Sequence, residues 1–158
     1  MFESNAPVDY RCPICLGISK LHSPDTLIRP SDFVFEDDQV AALLNSFFMG
    51  SNNAGHVIIV PKVHYESLYV LPDEIGHRIY DLSRHIAIAI KKAYKCDGIK
   101  IIQNNEPASD QHAFHYHLHV FPRYFDDGFN SVLPSQKILA SPNERAAYAD
   151  KIKLALDD

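Results

Sequence analysis

The stretch 111-QHAFHYHLHVFPR-123 sets His115, His117 and His119 at alternating positions, with Tyr116, Leu118 and Val120 between them. Alternation is the period of a strand, so the three imidazoles are expected on one face and the apolar residues on the other. Residues 115–121 are therefore read as a half-buried strand. The preceding residues 104–111 are polar and rich in turn formers, a loop that leads from another strand over 99–103.

Upstream, residues 56–60 form a compact Val/Ile-rich run halted by Pro61, the signature of a buried strand. Residues 33–35 and 40–44 flank the acidic turn Glu36-Asp37-Asp38 and predict a hairpin. Residues 51–55 are a loop by composition, and the apolar Phe47, Phe48 and Met49 just before them cover the core, line a base pocket or make a dimer contact. Pro72-Asp73-Glu74 opens a long helix, whose stripe Ile75, Ile79, Leu82, Ile86, Ala89 and Ala93 recurs at three- and four-residue steps. Lys91, Lys92 and Lys95 crowd its end and Gly98 is expected to stop it. After Pro122 the chain is expected to turn irregular. A last helix over about 142–156 would point Ala146, Ala149, Ile152 and Leu156 inward. This order predicts an α+β fold: an antiparallel sheet of about five strands, one long helix and a C-terminal helix.

The 158 residues suit a single domain, 1–158, and the hydrophobic share of 46% suits a buried core. A net charge of −5 offers no general attraction to a nucleic acid polymer or an anionic membrane, so any phosphate site must be built locally. No run is long and apolar enough to span a bilayer, and the first residues lack the pattern of an export signal, so a cytoplasmic location is expected. Three cysteines, Cys12, Cys15 and Cys96, argue against a disulfide framework, and Cys96 reads as a small buried hydrophobe.

Strand geometry divides the three histidines. Cα atoms of His115 and His119 should lie roughly 13 Å apart, whereas an imidazole ligand keeps its Cα only about 6 Å from a metal. One ion held by all three is therefore disfavoured. Cys12 and Cys15 form a C-x-x-C pair, half of a tetrahedral zinc site, with His64 and His115 as the best further ligands. A redox C-x-x-C is the competing reading, but no βαβ pattern accompanies it. His117 and His119 are left for chemistry, one as a nucleophile on phosphorus and its neighbour as a stabiliser of phosphoryl charge. No carboxylate cluster or Gly-rich loop suggests a catalytic magnesium or an organic cofactor.

Residues 115–123 resemble the signature of the histidine triad (HIT) nucleotide hydrolases and transferases, residues 55–64 resemble that family's second characteristic stretch, and Cys12-Pro13-Ile14-Cys15 resembles its zinc-containing bacterial branch. The resemblance spans about residues 12–125. It implies that His117 is the nucleophile at the α-phosphate and that His119 contacts the phosphate and bridging oxygen. It implies Gln111 as a hydrogen-bond partner of the α-phosphate or leaving group, Asn104 (or Asn105) near the phosphate and Asn45 at the ribose. Cys12, Cys15, His64 and His115 would hold a structural zinc, and the chain would form a homodimer. Asp110 and His112 flank Gln111, where the family usually has Gly and Ser or Thr. That departure motivates the alternative of a zinc-stabilised nucleotide-binding or scaffold protein with little catalysis; His112 either supplies a donor or sits in solvent.

Overall fold

A computed structural model describes residues 3–21, 23–50, 53–131 and 137–157. Five strands form one antiparallel sheet: β1 (Phe33–Glu36), β2 (Val40–Leu44), β4 (Val57–Pro61), β6 (Leu118–Arg123) and β5 (Gly98–Gln103), in that spatial order. The expected hairpin is β1–β2, and β1 and β5 are the two edge strands. The sheet has two different faces. Val40, Ala42, Leu44, Val57, Ile59, Leu118 and Val120 pack under the helices, whereas Ala41, Leu43, Ile58 and Val60 pack with Phe33, Cys12 and Ile14 on the other side. His119 pairs with Ile58 across the sheet, so it shares the second face, as alternation requires.

Helix α2 (Asp73–Tyr94) begins after Pro72, carries Asp73 and Glu74 in its first turn, and buries Ile75, Ile79, Leu82, Ile86, Ala89 and Ile90. Acidic residues complement the amide dipoles of a helix start. The helix does not run to Gly98. It ends at Tyr94 because Lys95 adopts a left-handed conformation, φ 54°, and Lys91 Nζ donates to the carbonyls of Cys96 (2.5 Å) and Asp97 (3.2 Å). A lysine ammonium thus satisfies carbonyls at the turn, and Gly98 opens β5 instead. Cys96 is buried, as its small apolar side chain suggests.

The histidine strand also starts later than alternation predicts. Residues 115–117 lie outside the ladder and β6 begins at Leu118. β5 ends opposite Leu118 at Gln103, and Tyr116 N–H donates instead to Tyr65 O, at 2.6 Å in the segment after β4. The same strand runs past Pro122 to Arg123, so the irregular segment starts one residue later than expected. The strand predicted over 56–60 begins at Val57 and includes Pro61. Of the loop predicted over 51–55, residues 51 and 52 lie outside the described residues, and Gly55 takes φ 78°. A Cβ there would stand 2.5 Å from the Tyr148 ring, so glycine is required both by conformation and by contact.

Phe47–Phe48 form the short strand β3, which pairs with β7 (Ile138–Leu139), a contact no local pattern announces. Helix α3 (Pro142–Asp157) buries Ala149 and Ile152 as expected, while Ala146 and Leu156 are only half-buried. Its unexpected core residue is Arg145. The guanidinium donates to both Asp32 carboxylate oxygens (2.9 and 3.1 Å) and to the carbonyls of Ala140 (2.6 Å) and Leu27 (2.8 Å). Truncating one partner of such a buried pair leaves the other charge uncompensated. Arg145→Ala should therefore cost about 3–5 kcal/mol and lower Tm by roughly 10 °C. Calorimetry of wild type and variant checks this, and a shift under about 2 °C would contradict the role.

Candidate functional site

The short helix α1 (Pro13–Ile18), the segment after β4 and the residues just before β6 bring four candidate ligands together. Nδ1 of His115 lies 3.4 Å from Sγ of both Cys12 and Cys15, and Nδ1 of His64 lies 3.4 Å from Sγ of Cys15. All four ligand atoms fall within 4.8 Å of one another. A tetrahedral zinc with bonds of roughly 2.0 Å to nitrogen and 2.3 Å to sulfur requires ligand separations of about 3.3–3.8 Å, so the donor set fits. Nε2–H of His115 donates to Pro61 O at 2.9 Å, the outer hydrogen bond that orients a metal-binding imidazole and leaves Nδ1 as the ligand atom. Burial pushes the Cys15 thiol up to about 12, with Cys12 adding to the effect. A bound cation is what would offset the cost of two thiolates in that place.

His115 also determines its neighbour. Its carbonyl accepts Nδ1–H of the buried His117 at 2.7 Å, so the His117 proton sits on Nδ1 and Nε2 carries a lone pair. Burial lowers the His117 pKa first, and the His115 carbonyl opposes that shift. The His117 and His119 rings lie 4.8 Å apart, edge to face. His119 is pushed well below the ordinary imidazole range, chiefly by burial and then by neighbouring His117, His56 and Lys137.

The remaining predicted residues are placed unequally. Gln111 is buried, with both amide hydrogens engaged inside the protein: Nε2 donates to Glu66 O (2.7 Å) and Ala113 O (3.2 Å), while Oε1 accepts Glu106 N–H (2.6 Å). It pins the loop rather than pointing donors outward. Its neighbours Asp110 and His112 are exposed, and His112 lies near enough to disfavour charge on His117. Asn104 follows β5, whose Gln103 pairs with Leu118, so it lies beside the His117 end of β6. Asn105 is tied into the loop by Leu68 N–H and Gln103. Asn45 follows β2 with its N–H on His56 O and its Oδ1 on Phe47 N–H.

His56 itself escaped the sequence reading as a site residue. Its buried ring lies 5.4 Å from that of His119 and 4.2 Å from that of Phe121, and Phe121 stacks on His119 at 5.3 Å. A histidine beside a run of Val and Ile gives no periodic signal of its own. Only strand pairing carries β4 alongside β6 and places the two rings together.

Residues 27–126 match the HIT domain family. The chain belongs to the HIT domain family. A Bacillus subtilis protein named Protein hit is 36% identical over 104 residues, covering 65% of this chain and 70% of that protein. The crystal structure of a zinc-bound HIT protein from Mycobacterium smegmatis superposes with a TM-score of 0.70 at 25% identity, over 92% of this chain and 93% of that one. Adenylylsulfatase HINT3 of Arabidopsis thaliana is 32% identical over 90 residues, 58% of this chain and 44% of that protein. The five-stranded antiparallel sheet, the long helix and the C-terminal helix form the HIT fold, and no helix of the described residues is long and apolar enough to cross a membrane.

Within this HIT site His56 carries a pH signature. Burial first, then Lys137 and His117, push its pKa from 6.5 down to about 3. The unfolded chain takes up a proton that the folded chain resists, so stability falls as pH drops from 6.5 toward 3. Each pH unit in that window costs about 1.4 kcal/mol per such group. His56→Phe should flatten the fall by one proton's worth, measured by denaturant midpoints between pH 7.5 and 4.5; an unchanged slope would place the lost stability elsewhere.

Proposed function

We propose that the protein is a nucleotide hydrolase or nucleotidyl transferase acting at the α-phosphate of a nucleotide derivative through a nucleotidyl intermediate on His117. The observation that carries this is the His117 Nδ1–H donated to His115 O, which directs an unprotonated Nε2 away from the backbone. Nε2 attacks phosphorus, an N–P bond forms, and the bond to the leaving group breaks with its electron pair passing to the leaving atom. Water then attacks the same phosphorus, the N–P bond breaks, and the nucleoside monophosphate departs with His117 regenerated; a second alcohol or phosphate in place of water makes the reaction a transfer.

His119 contacts the phosphate and bridging oxygen, and Asn104 approaches from the end of β5. Asn45 serves the ribose from the end of β2. Gln111 holds the phosphate loop in shape through its three internal hydrogen bonds, acting as a positioning residue. Cys12, Cys15, His64 and His115 hold zinc in a structural role, supported by the fit of four protein ligands that leave no position open for substrate. The open edge of β5, where Ile101 is 43% exposed, supports a homodimer joined through that strand. A single domain in the cytoplasm completes the assignment.

The test is release of nucleoside monophosphate from a panel containing an adenosine phosphoramidate, diadenosine polyphosphates and adenylyl sulfate, the last suggested by the name of the Arabidopsis relative. Turnover of at least one member is expected. Binding of AMP with no release from any member would favour the nucleotide-binding alternative that Asp110 and His112 suggest.

A further inference from the structure

Strand β7 and its flanks lie beyond the matched residues 27–126, yet they return to the site. Ile138 pairs with Phe48 and Leu139 with Phe47, and Ala140 N–H donates to Ser46 O at 3.0 Å. Arg145, clamped to Asp32, donates to Ala140 O at 2.6 Å. Ile138 and Leu139 are both exposed, so hydrogen bonds more than burial fix this strap. The strand it pairs with is tied to the site in turn: Phe47 N–H donates to Asn45 Oδ1, and Asn45 N–H donates to His56 O.

Lys137 stands at the entrance to the strap, half-buried and one residue from a ladder that fixes its backbone. No carboxylate pairs with it among the described residues. A partly buried ammonium without a counter-ion carries a desolvation cost that nothing offsets. The charge nevertheless acts on the site. Burial comes first in keeping His56 and His119 neutral, and Lys137 is the cation that adds to the effect in both. A neutral imidazole offers one N–H and no charge, so these two rings alone leave an arriving phosphoryl anion uncompensated.

We propose that Lys137 is a substrate-binding residue, whose ammonium pairs with the anionic phosphoryl oxygens received between His117 and His119. The site thereby selects phosphorylated nucleosides over uncharged ones. The histidines supply an attacking nitrogen and a directed N–H, and the strap supplies the charge. A lysine ammonium on its flexible stem is a compact point charge that can follow a phosphoryl group. Pairing also gives Lys137 the counter-ion that the protein itself withholds.

The inference rests on the phosphoryl site proposed above, but its first readout is binding and needs no turnover. The test is calorimetric titration of the zinc-loaded protein with AMP and with adenosine. Lys137→Gln should weaken AMP on the order of tenfold, between the values for exposed and buried ion pairs, and leave adenosine unchanged. Lys137→Arg should keep most of the affinity. Lys151→Gln removes the same charge from an exposed position on α3 and should leave both ligands unchanged, which separates a local contact from net charge. Added salt should weaken AMP more steeply in wild type than in Lys137→Gln. With whichever nucleotide is turned over, the loss should appear mainly in KM, as for a contact made in both ground and transition states. If Lys137→Gln fails to fold, Lys137→Met takes its place. Wild-type AMP affinity in the folded uncharged variant, or an equal loss for AMP and adenosine, would overturn the proposal. So would a wild type that binds adenosine as tightly as AMP. Absence of turnover beside intact, Lys137-dependent AMP binding would instead remove the hydrolase reading and leave this one standing.

Discussion

His117→Ala is expected to lower kcat/KM for a turned-over nucleotide by at least about a thousandfold while the protein stays folded. The size follows from the proposed role, in which the side chain supplies the attacking atom, Nε2. A direct companion measurement is covalent labelling. Wild type mixed with an α-phosphate-labelled substrate and quenched in alkali, where an N–P bond persists, should retain label; His117→Ala should retain none. Activity within tenfold of wild type, or label retained in the variant, would remove His117 as nucleophile. His117 is buried, so a matched melting temperature should accompany the kinetics.

Stripping the metal should have the second large effect. Zinc purified with the protein is expected at about one ion per chain, bound by Cys12, Cys15, His64 and His115. Because the ligand set assembles only in the folded state, its binding free energy adds to folding stability. If even a third of the roughly 10–16 kcal/mol seen for zinc-finger peptides is retained, chelation should lower Tm by on the order of 10 °C. Cys15→Ser should reproduce most of that loss. Activity should fall as well, because His115 is both a proposed ligand of the metal and the residue whose carbonyl accepts from His117 Nδ1–H. Chelation that abolishes turnover and leaves Tm untouched would instead make the ion catalytic.

Much of this arrangement is legible in the residues, for identifiable reasons. The stripe Ile75, Ile79, Leu82, Ile86 and Ala89 specifies α2, since each member sits one turn from the next on one side of a cylinder. Alternation predicts that Leu118 and Val120 face the helices while His119 faces away, and the two packed clusters on the sheet show that division. The separation of His115 from His119 follows from strand rise alone, and the cluster with Cys12, Cys15 and His64 agrees with it.

What local pattern misses is set by distant partners. The late start of β6 depends on where β5 and β4 stop offering hydrogen bonds, which residues 115–117 cannot encode. Arg145 looks like a surface residue of α3 until Asp32, 113 positions away, supplies its carboxylate. Gln111 has the right spacing for a phosphate ligand, yet Glu66 and Ala113 carbonyls take its donors. His56 acquires meaning only once strand pairing sets it against His119.

The metal cluster has a consequence for biosynthesis. Cys12 and His115 are separated by 103 positions. At roughly 5–20 residues per second, the ribosome adds that span in about 5–20 s. For that interval Cys12 and Cys15 stand as a reduced pair in an incomplete set, joined by His64 about half-way through and still lacking His115, open to wrong metals and to oxidation. Loading can finish only when His115 emerges, and the same event delivers the carbonyl that orients His117. On the proposed roles, metal capture and orientation of His117 would both be completed by one residue, late in synthesis, so a truncated nascent chain would hold neither.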